Sequence, residues 1–218
     1  MERLHGGGPV VLLGIALLFS SAISIPVMCS EALRNAYVST MYRQVAKVAR
    51  PRFVFVGDSL TANCNWGWAL ARNPFSAVNL AEDGALIDQV ALQITRGSGY
   101  AAEFLFVTAG TNDIVLFDRS VEQITERFEH LIEIAPDNLK LVVTLIPYVA
   151  AVSQTAKIRG ANVEIRRLSA KKAAAVVDLN PLVAPDGALS SKFTTDGLHL
   201  NNLGYRIWAN ELRKILHL

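Results

Sequence analysis

Cysteine is scarce in this chain: Cys29 and Cys64 are the only two in 218 residues. They allow one disulfide at most and form no metal-ligand pair, so neither a disulfide scaffold nor a zinc module is encoded. Cys64 alone reads as a small buried thiol. Charge of one sign is also missing. Twenty-one basic residues face nineteen acidic ones, for a net charge of +2, which excludes a strongly basic nucleic-acid-binding surface. No internal repeat and no low-complexity segment interrupts the chain, and no glycine-flanked Gly-x-Ser-x-Gly elbow occurs around its candidate serine, because Leu60-Thr61 follow Ser59.

Half of the residues are apolar, enough for one domain with a sizeable core. The N-terminus differs from the rest. Arg3 precedes an uncharged apolar stretch from Val10 to Met28, long for a signal-peptide core and just sufficient to span a bilayer. Residues 1–29 are therefore expected to be a signal peptide, with a weak cleavage pattern at Ala22 and Ser24, or a membrane anchor. Lipidation at Cys29 is set aside, since small residues do not precede it. Arg34, Arg43 and Lys47 outnumber the positive charge before the segment and argue against export. A terminal apolar segment with a basic start favours an extracytoplasmic, secreted or membrane-anchored domain. Residues 30–50 carry Leu33, Tyr37, Met41, Val45 and Val48 at helical spacing, an amphipathic linker that Pro51 ends.

From residue 51 to 218 short apolar runs alternate with helical patterns. Strands are expected at 53–56, 77–80, 104–108, 141–145 and 175–179, and helices at 87–96, 121–134, about 158–173 and 203–216. Ser120 and Gln123 stand at capping-box spacing before the second helix. Nearly continuous apolar strands alternating with helices imply one α/β domain, a parallel sheet of about five strands covered on both faces.

Ligands of such sheets bind beyond the carboxyl ends of the strands, so the exit loops carry the chemistry. They read Gly57-Asp58-Ser59, then "NLAEDGAL" with Gly84, then "AGTNDIV" with Asn112 and Asp113, and finally "TTDGLHLNNLGY" with Asp196 and His199. A serine hydroxyl needs a base to become a nucleophile. His199 is the one histidine in an exit loop. His5 lies in the leader, His130 on a helix and His217 at the end. An imidazole that accepts the serine proton needs a carboxylate on its other nitrogen. Asp196, in the same loop, is the leading candidate and Asp178, closing a strand, the competitor. Taken alone, Asp196 is equally a turn or capping aspartate. Attack on a carbonyl makes an oxyanion, for which the backbone N–H groups of Ser59 and Gly84 and the Asn112 amide are candidate donors. Trp66 and Trp68, just past the serine, are candidates for lining a substrate pocket and equally for core positions.

In this order, "GDSL" at 57–60, "GTND" at 110–113 and "DGLH" at 196–199 with "GY" at 204–205 resemble the blocks of the SGNH hydrolase superfamily, the GDSL esterases and lipases. The second block matches least, because Ala81 replaces a glycine of the family's Asn-x-Gly-x-x-Gly pattern around Gly84. The resemblance implies a flavodoxin-like three-layer α/β/α sandwich. It also implies hydrolysis of carboxylic esters or thioesters through an acyl-enzyme, without metal or cofactor. Ser59 would be the nucleophile, His199 the base and then acid, Asp196 its orienting carboxylate, and Ser59, Gly84 and Asn112 the oxyanion hole. The absence of a long apolar insertion favours short acyl groups, such as O-acetyl groups on a sugar. The expected partners are a small-molecule or glycan ester and, through the N-terminus, a membrane, with no nucleic acid. Two alternatives are an acyltransferase of the same fold acting on a glycan and a silent, membrane-tethered binding module.

Overall fold

A computed structural model describes Val48 and residues 50–218. The expected leader or anchor at 1–29, and all of the expected linker helix except its last few residues, lie outside the described residues. Among those described, no helix is long and apolar enough to cross a membrane.

Five strands form one parallel sheet: β1 (Phe53–Gly57), β2 (Ala77–Asn79), β3 (Phe104–Thr108), β4 (Lys140–Thr144) and β5 (Ala175–Val177). Their order is β2-β1-β3-β4-β5, the flavodoxin-like arrangement, and the expected three-layer sandwich is present. The order reverses at β1, and β1 pairs with β3 from Phe53–Phe104 to Gly57–Thr108. Their exits are therefore adjacent, at the position where doubly wound sheets open a binding crevice.

Strand side chains alternate between faces, and here the faces differ in kind. Val54, Val56, Leu105, Val107 and Val143 point to a layer made by α3 (Ile87–Gly97), α5 (Val121–Ile134) and α6 (Thr155–Lys171). Phe53, Phe55, Phe104 and Phe106 point to the opposite layer, made by α2 (Trp66–Ala71) and α8 (Asn202–Leu216). Aliphatic side chains pack beneath three long helices, while aromatic rings pack beneath two. Phe55 stacks between Trp66 at 4.7 Å and Phe106 at 4.3 Å, and Trp66 meets Trp208 edge-on at 4.8 Å.

The strand and long-helix boundaries depart from the sequence reading by three residues at most. Helix α5 begins with the expected capping box, Ser120 Oγ accepting the Gln123 N–H and Gln123 Oε1 accepting the Ser120 N–H. The structure adds four short helices: α1 (Ser59–Ala62), α2, α4 (Thr111–Val115) and α7 (Asn180–Val183). Of these, α1, α4 and α7 span about one turn and have no hydrophobic period to read.

Trp66 belongs to the core. It is 1% exposed and its Nε1–H donates to the Thr61 carbonyl, so it lines no pocket, and the substrate-binding expectation for it is corrected. Its spacing to Leu70 is a core stripe. Cys64 is free and partly buried against the same cluster, and burial pushes its thiol up to about 12. Truncating Trp66 removes the ring that Phe55, Trp208 and Tyr205 pack on. Trp66→Ala should lower stability by about 3–5 kcal/mol, read as a lower urea midpoint, and a loss below about 1 kcal/mol would contradict this packing.

Candidate active site

Strand β1 ends at Gly57, where a side chain has no room: a Cβ there would lie 2.6 Å from the Thr108 carbonyl oxygen of β3. The two chains therefore approach closely as they leave the sheet. Gln93 of α3 then serves Gly57 as a surrogate strand. Its Oε1 accepts the Gly57 N–H at 2.7 Å and its Nε2–H donates to the Gly57 carbonyl at 3.1 Å. Asp58 follows as the cap of α1, with Oδ1 accepting the Leu60 N–H. Ser59 is the first residue of α1, and its own N–H meets no acceptor among the described residues, as a first-turn amide does not.

The loop before α8 brings the base. Thr194 and Leu200 form a bridge that closes it, and Asn201 Oδ1 accepts the Leu203 and Gly204 N–H groups to start the helix. Within it, Asp196 Oδ1 accepts the backbone N–H of Leu198 at 2.9 Å and of His199 at 2.8 Å. Its Oδ2 accepts the His199 Nδ1–H at 2.7 Å. The two readings of Asp196, turn residue and histidine partner, are thus both met by one carboxylate, each through its own oxygen. The His199 bond and the two N–H groups hold this carboxyl well below the usual range, so it stays ionised. The turn is pinned from outside: the Ala150 N–H donates to the Gly197 carbonyl at 2.8 Å, and Gly197, at φ 81°, has no room for a Cβ beside Ala150.

With Nδ1 carrying the proton towards Asp196, His199 Nε2 has a free lone pair. Ser59 Oγ lies 2.9 Å from it, within hydrogen-bond distance. Residues 140 apart in sequence are thus within one hydrogen bond. Asp178 is engaged elsewhere, paired with Arg166 and capping Asn180, and takes no part. His130 is exposed on α5.

The third exit loop supplies Asn112. Gly110, at φ 111°, turns the chain from β3 into α4, and Asn112 is 5% exposed. One hydrogen of its Nδ2 donates to the Ala85 carbonyl at 3.0 Å, which leaves the second free. That bond joins the Asn112 loop to the turn bearing Gly84, an exposed glycine at φ 73° whose Cβ position is open. Asp113, which the sequence places in this loop without a role, is a structural anchor. Its Oδ2 accepts the Ile87 N–H at 3.0 Å and its Oδ1 pairs with Arg119, the side chain being wholly buried. Gln93, Tyr205, whose hydroxyl donates to the Leu60 carbonyl at 2.8 Å, and Thr194 likewise carry no role readable from the sequence. Only the "ND" and "GY" pairs signalled any of them. Trp68 is 61% exposed on α2.

Comparison with known proteins agrees with this architecture. The family described as GDSL-like Lipase/Acylhydrolase matches residues 55–207. No curated protein matches the sequence. Among solved structures, a GDSL-like lipase from Bacteroides thetaiotaomicron superposes with a TM-score of 0.65 at 19% identity, covering 81% of this chain and 97% of that one. A lipase/acylhydrolase from Enterococcus faecalis gives 0.62 at 18% identity, with 76% and 95% covered. The C-terminal catalytic domain of a Streptococcus pneumoniae peptidoglycan O-acetyltransferase, bearing a methylsulfonyl adduct, gives 0.61 at 16%, with 77% and 93% covered. At these identities the likeness is one of fold.

Asp113 ties three segments with one buried carboxylate, and its removal strands both Arg119 and the Ile87 N–H. Asp113→Ala should cost about 3–5 kcal/mol, measured by urea unfolding, whereas Asp178→Ala, at a half-exposed pair, should cost about 1 kcal/mol or less. Equal losses would show that Asp113 is no anchor.

Proposed function

The chain belongs to the GDSL-like lipase/acylhydrolase family, a hydrolase in general kind, and we propose that it is a serine esterase acting on short-chain carboxylic esters or thioesters. The observation that carries this reading is the chain of two hydrogen bonds from Ser59 through His199 to Asp196, at 2.9 and 2.7 Å. Ser59 Oγ attacks the ester carbonyl carbon as its proton passes to His199 Nε2. The imidazolium so formed is stabilised by Asp196, which remains a carboxylate. Negative charge gathers on the former carbonyl oxygen, where the Ser59 N–H, the Gly84 N–H and the free Asn112 Nδ2–H are its donors. The C–O or C–S bond of the leaving group then breaks, and the departing oxygen or sulfur takes the proton from Nε2. Water attacks the acyl-serine as it yields a proton to His199, and when the C–O bond to Ser59 breaks His199 Nε2 returns that proton to Oγ, releasing the acid and free Ser59.

Accessibility bears on substrate class. The side chains of His199 and Asp196 are 34% and 50% exposed, so the reacting pair lies at an open sheet edge. A shallow site suits a small acyl group carried on a bulky polymer, such as an O-acetyl group on a glycan. Trp68, exposed nine residues past the serine, offers a face for a sugar ring. The same arrangement serves an acyltransferase, in which a sugar hydroxyl replaces water. The fold shared with a peptidoglycan O-acetyltransferase domain favours that as the second reading. In either case residues 1–29 would carry the domain out of the cytoplasm or anchor it, which the mass of the mature N-terminus would report.

Ser59→Ala should abolish hydrolysis of aryl esters and labelling by a serine-directed phosphonate while leaving the melting temperature near that of the wild type. Asn112→Ala should lower kcat by roughly 100- to 1000-fold, with KM little changed. Activity retained in Ser59→Ala overturns the mechanism. Across aryl esters of increasing acyl length, kcat/KM should peak at acetyl or butyryl, and an optimum at long chains would reject the short-acyl assignment. Product analysis with an acetyl donor and a glycan acceptor separates hydrolysis from transfer.

A further inference from the structure

One wholly buried carboxyl group has no place in the chemistry above. Asp58 is 0% exposed, and its Oδ1 accepts the Leu60 N–H at 3.0 Å. Among the described residues its Oδ2 has no hydrogen-bond partner of good geometry, and the same is true of the buried Thr111 Oγ1, although the Thr111 hydroxyl acts on this carboxyl. Thr61 Oγ1 is a third such atom in the same turn. Asp58 directly precedes Ser59, and Thr111 directly precedes Asn112. The carboxyl and the hydroxyl thus come from the two neighbouring exit turns and lie within reach of each other.

We propose that Asp58 is a positioning residue that acts as a neutral carboxylic acid, its Oδ2–H donating to Thr111 Oγ1 and so fixing the Ser59 turn against the Asn112 turn. The inference rests on the roles given above to Ser59 and Asn112. Its physical basis is the surroundings of the group. Among the described residues Asp58 forms no ion pair, and the titratable groups that act on it are His199, Asp113 and Tyr205. Asp113 is already matched by Arg119, so a charge on Asp58 would be a second buried anion without a cation of its own. Burial of an unpaired charge is costly and favours the neutral form. The Thr111 hydroxyl could equally donate to an ionised Asp58, and that contact alone favours the carboxylate. It is the full burial of a charge with no cation of its own that selects the neutral acid as the donor. Burial pushes this carboxyl from 3.8 up to about 7, in line with that reasoning. The consequence of the bond is geometric: two oxyanion donors borne on different strands, the Ser59 N–H and the Asn112 amide, keep a constant separation.

The test uses the amide as a mimic of the neutral acid. In Asp58→Asn, Oδ1 still accepts the Leu60 N–H and Nδ2–H donates to Thr111, so at pH 6 kcat on an aryl ester should stay within about threefold of wild type. Asp58→Ala should lower kcat by about 10- to 100-fold with little change in KM, as expected for misplaced groups. Thr111→Val should lower it in the same manner, and adding it to Asp58→Ala should cause no further loss. An inactive but folded Asp58→Asn, or additive losses in the double variant, would overturn the proposal. If Asp58→Ala does not fold, Thr111→Val and Asp58→Asn still decide it.

Stability against pH gives a readout independent of turnover. The unfolded carboxyl ionises near 3.8 and the folded one near 7, so the unfolded state loses its proton first. Wild-type stability then falls between these values relative to a variant without the titrating group. The melting temperature of Asp58→Asn should therefore rise relative to wild type by several degrees between pH 5 and pH 8. Parallel pH profiles would overturn the neutral-acid assignment. Should wild type fail to hydrolyse aryl esters or take the phosphonate on Ser59, the esterase reading fails, while the melting comparison still judges the protonation of Asp58.

Discussion

Parallel pairing of β1 with β3, in register up to Gly57 and Thr108, makes two chains leave the sheet side by side, and the site is built in that gap. Backbone pairing ends there, so polar side chains take over from it. Gln93 continues the ladder at Gly57. Asn162 does the same for Ile146 beyond β4, accepting its N–H and donating to its carbonyl, both at 2.8 Å. Unsatisfied backbone groups are costly when buried, and these amides remove that cost where the sheet gives way to loops. The reacting side chains are thus borne on short turns whose first residues are held nearly as firmly as strand.

Much of this was legible in the sequence, for reasons that differ between levels. The five strands are short apolar runs, and the long helices carry a clear 3.6-residue stripe, so both signals survive in one dimension. Helices α1 and α4 have four and five residues and no period to detect, though they orient Ser59 and Asn112. Ser59, Asp196 and His199, which the structure brings together, could be singled out in the sequence because residues able to act as nucleophile, base and acid are few in kind and the exit-loop rule narrows the search. Asp113 and Gln93 were not, since their role depends on which backbone N–H lies opposite, and that is a fact of three dimensions. Trp66 shows the limit from the other side: proximity to the serine in sequence suggested a pocket, while the ring turns inwards to Phe55 and Trp208.

The two sheet faces divide the work. The valine face packs beneath α3, α5 and α6, and Gln93 and Asn162 reach the strand ends from two of those helices. The phenylalanine face packs on α2 and α8, and from it Tyr205 reaches the Leu60 carbonyl. The serine turn is thereby gripped from above and below the sheet. Neither layer alone fixes it.

Asp196 and His199 lie three residues apart in a loop closed by its own bridge and capped into α8, whereas Ser59 arrives on the central sheet. Asp196 and His199 are thus fixed relative to each other within one loop, which meets the rest of the domain at Ser59 and at the Ala150–Gly197 hydrogen bond. A local opening of residues 193–201 would withdraw both groups together and leave Ser59 in place on α1, at the exit of a core strand. In such an opening His199 would keep Asp196 as its partner. Local opening of that one segment, rather than unfolding of the whole domain, is what would part His199 from Ser59.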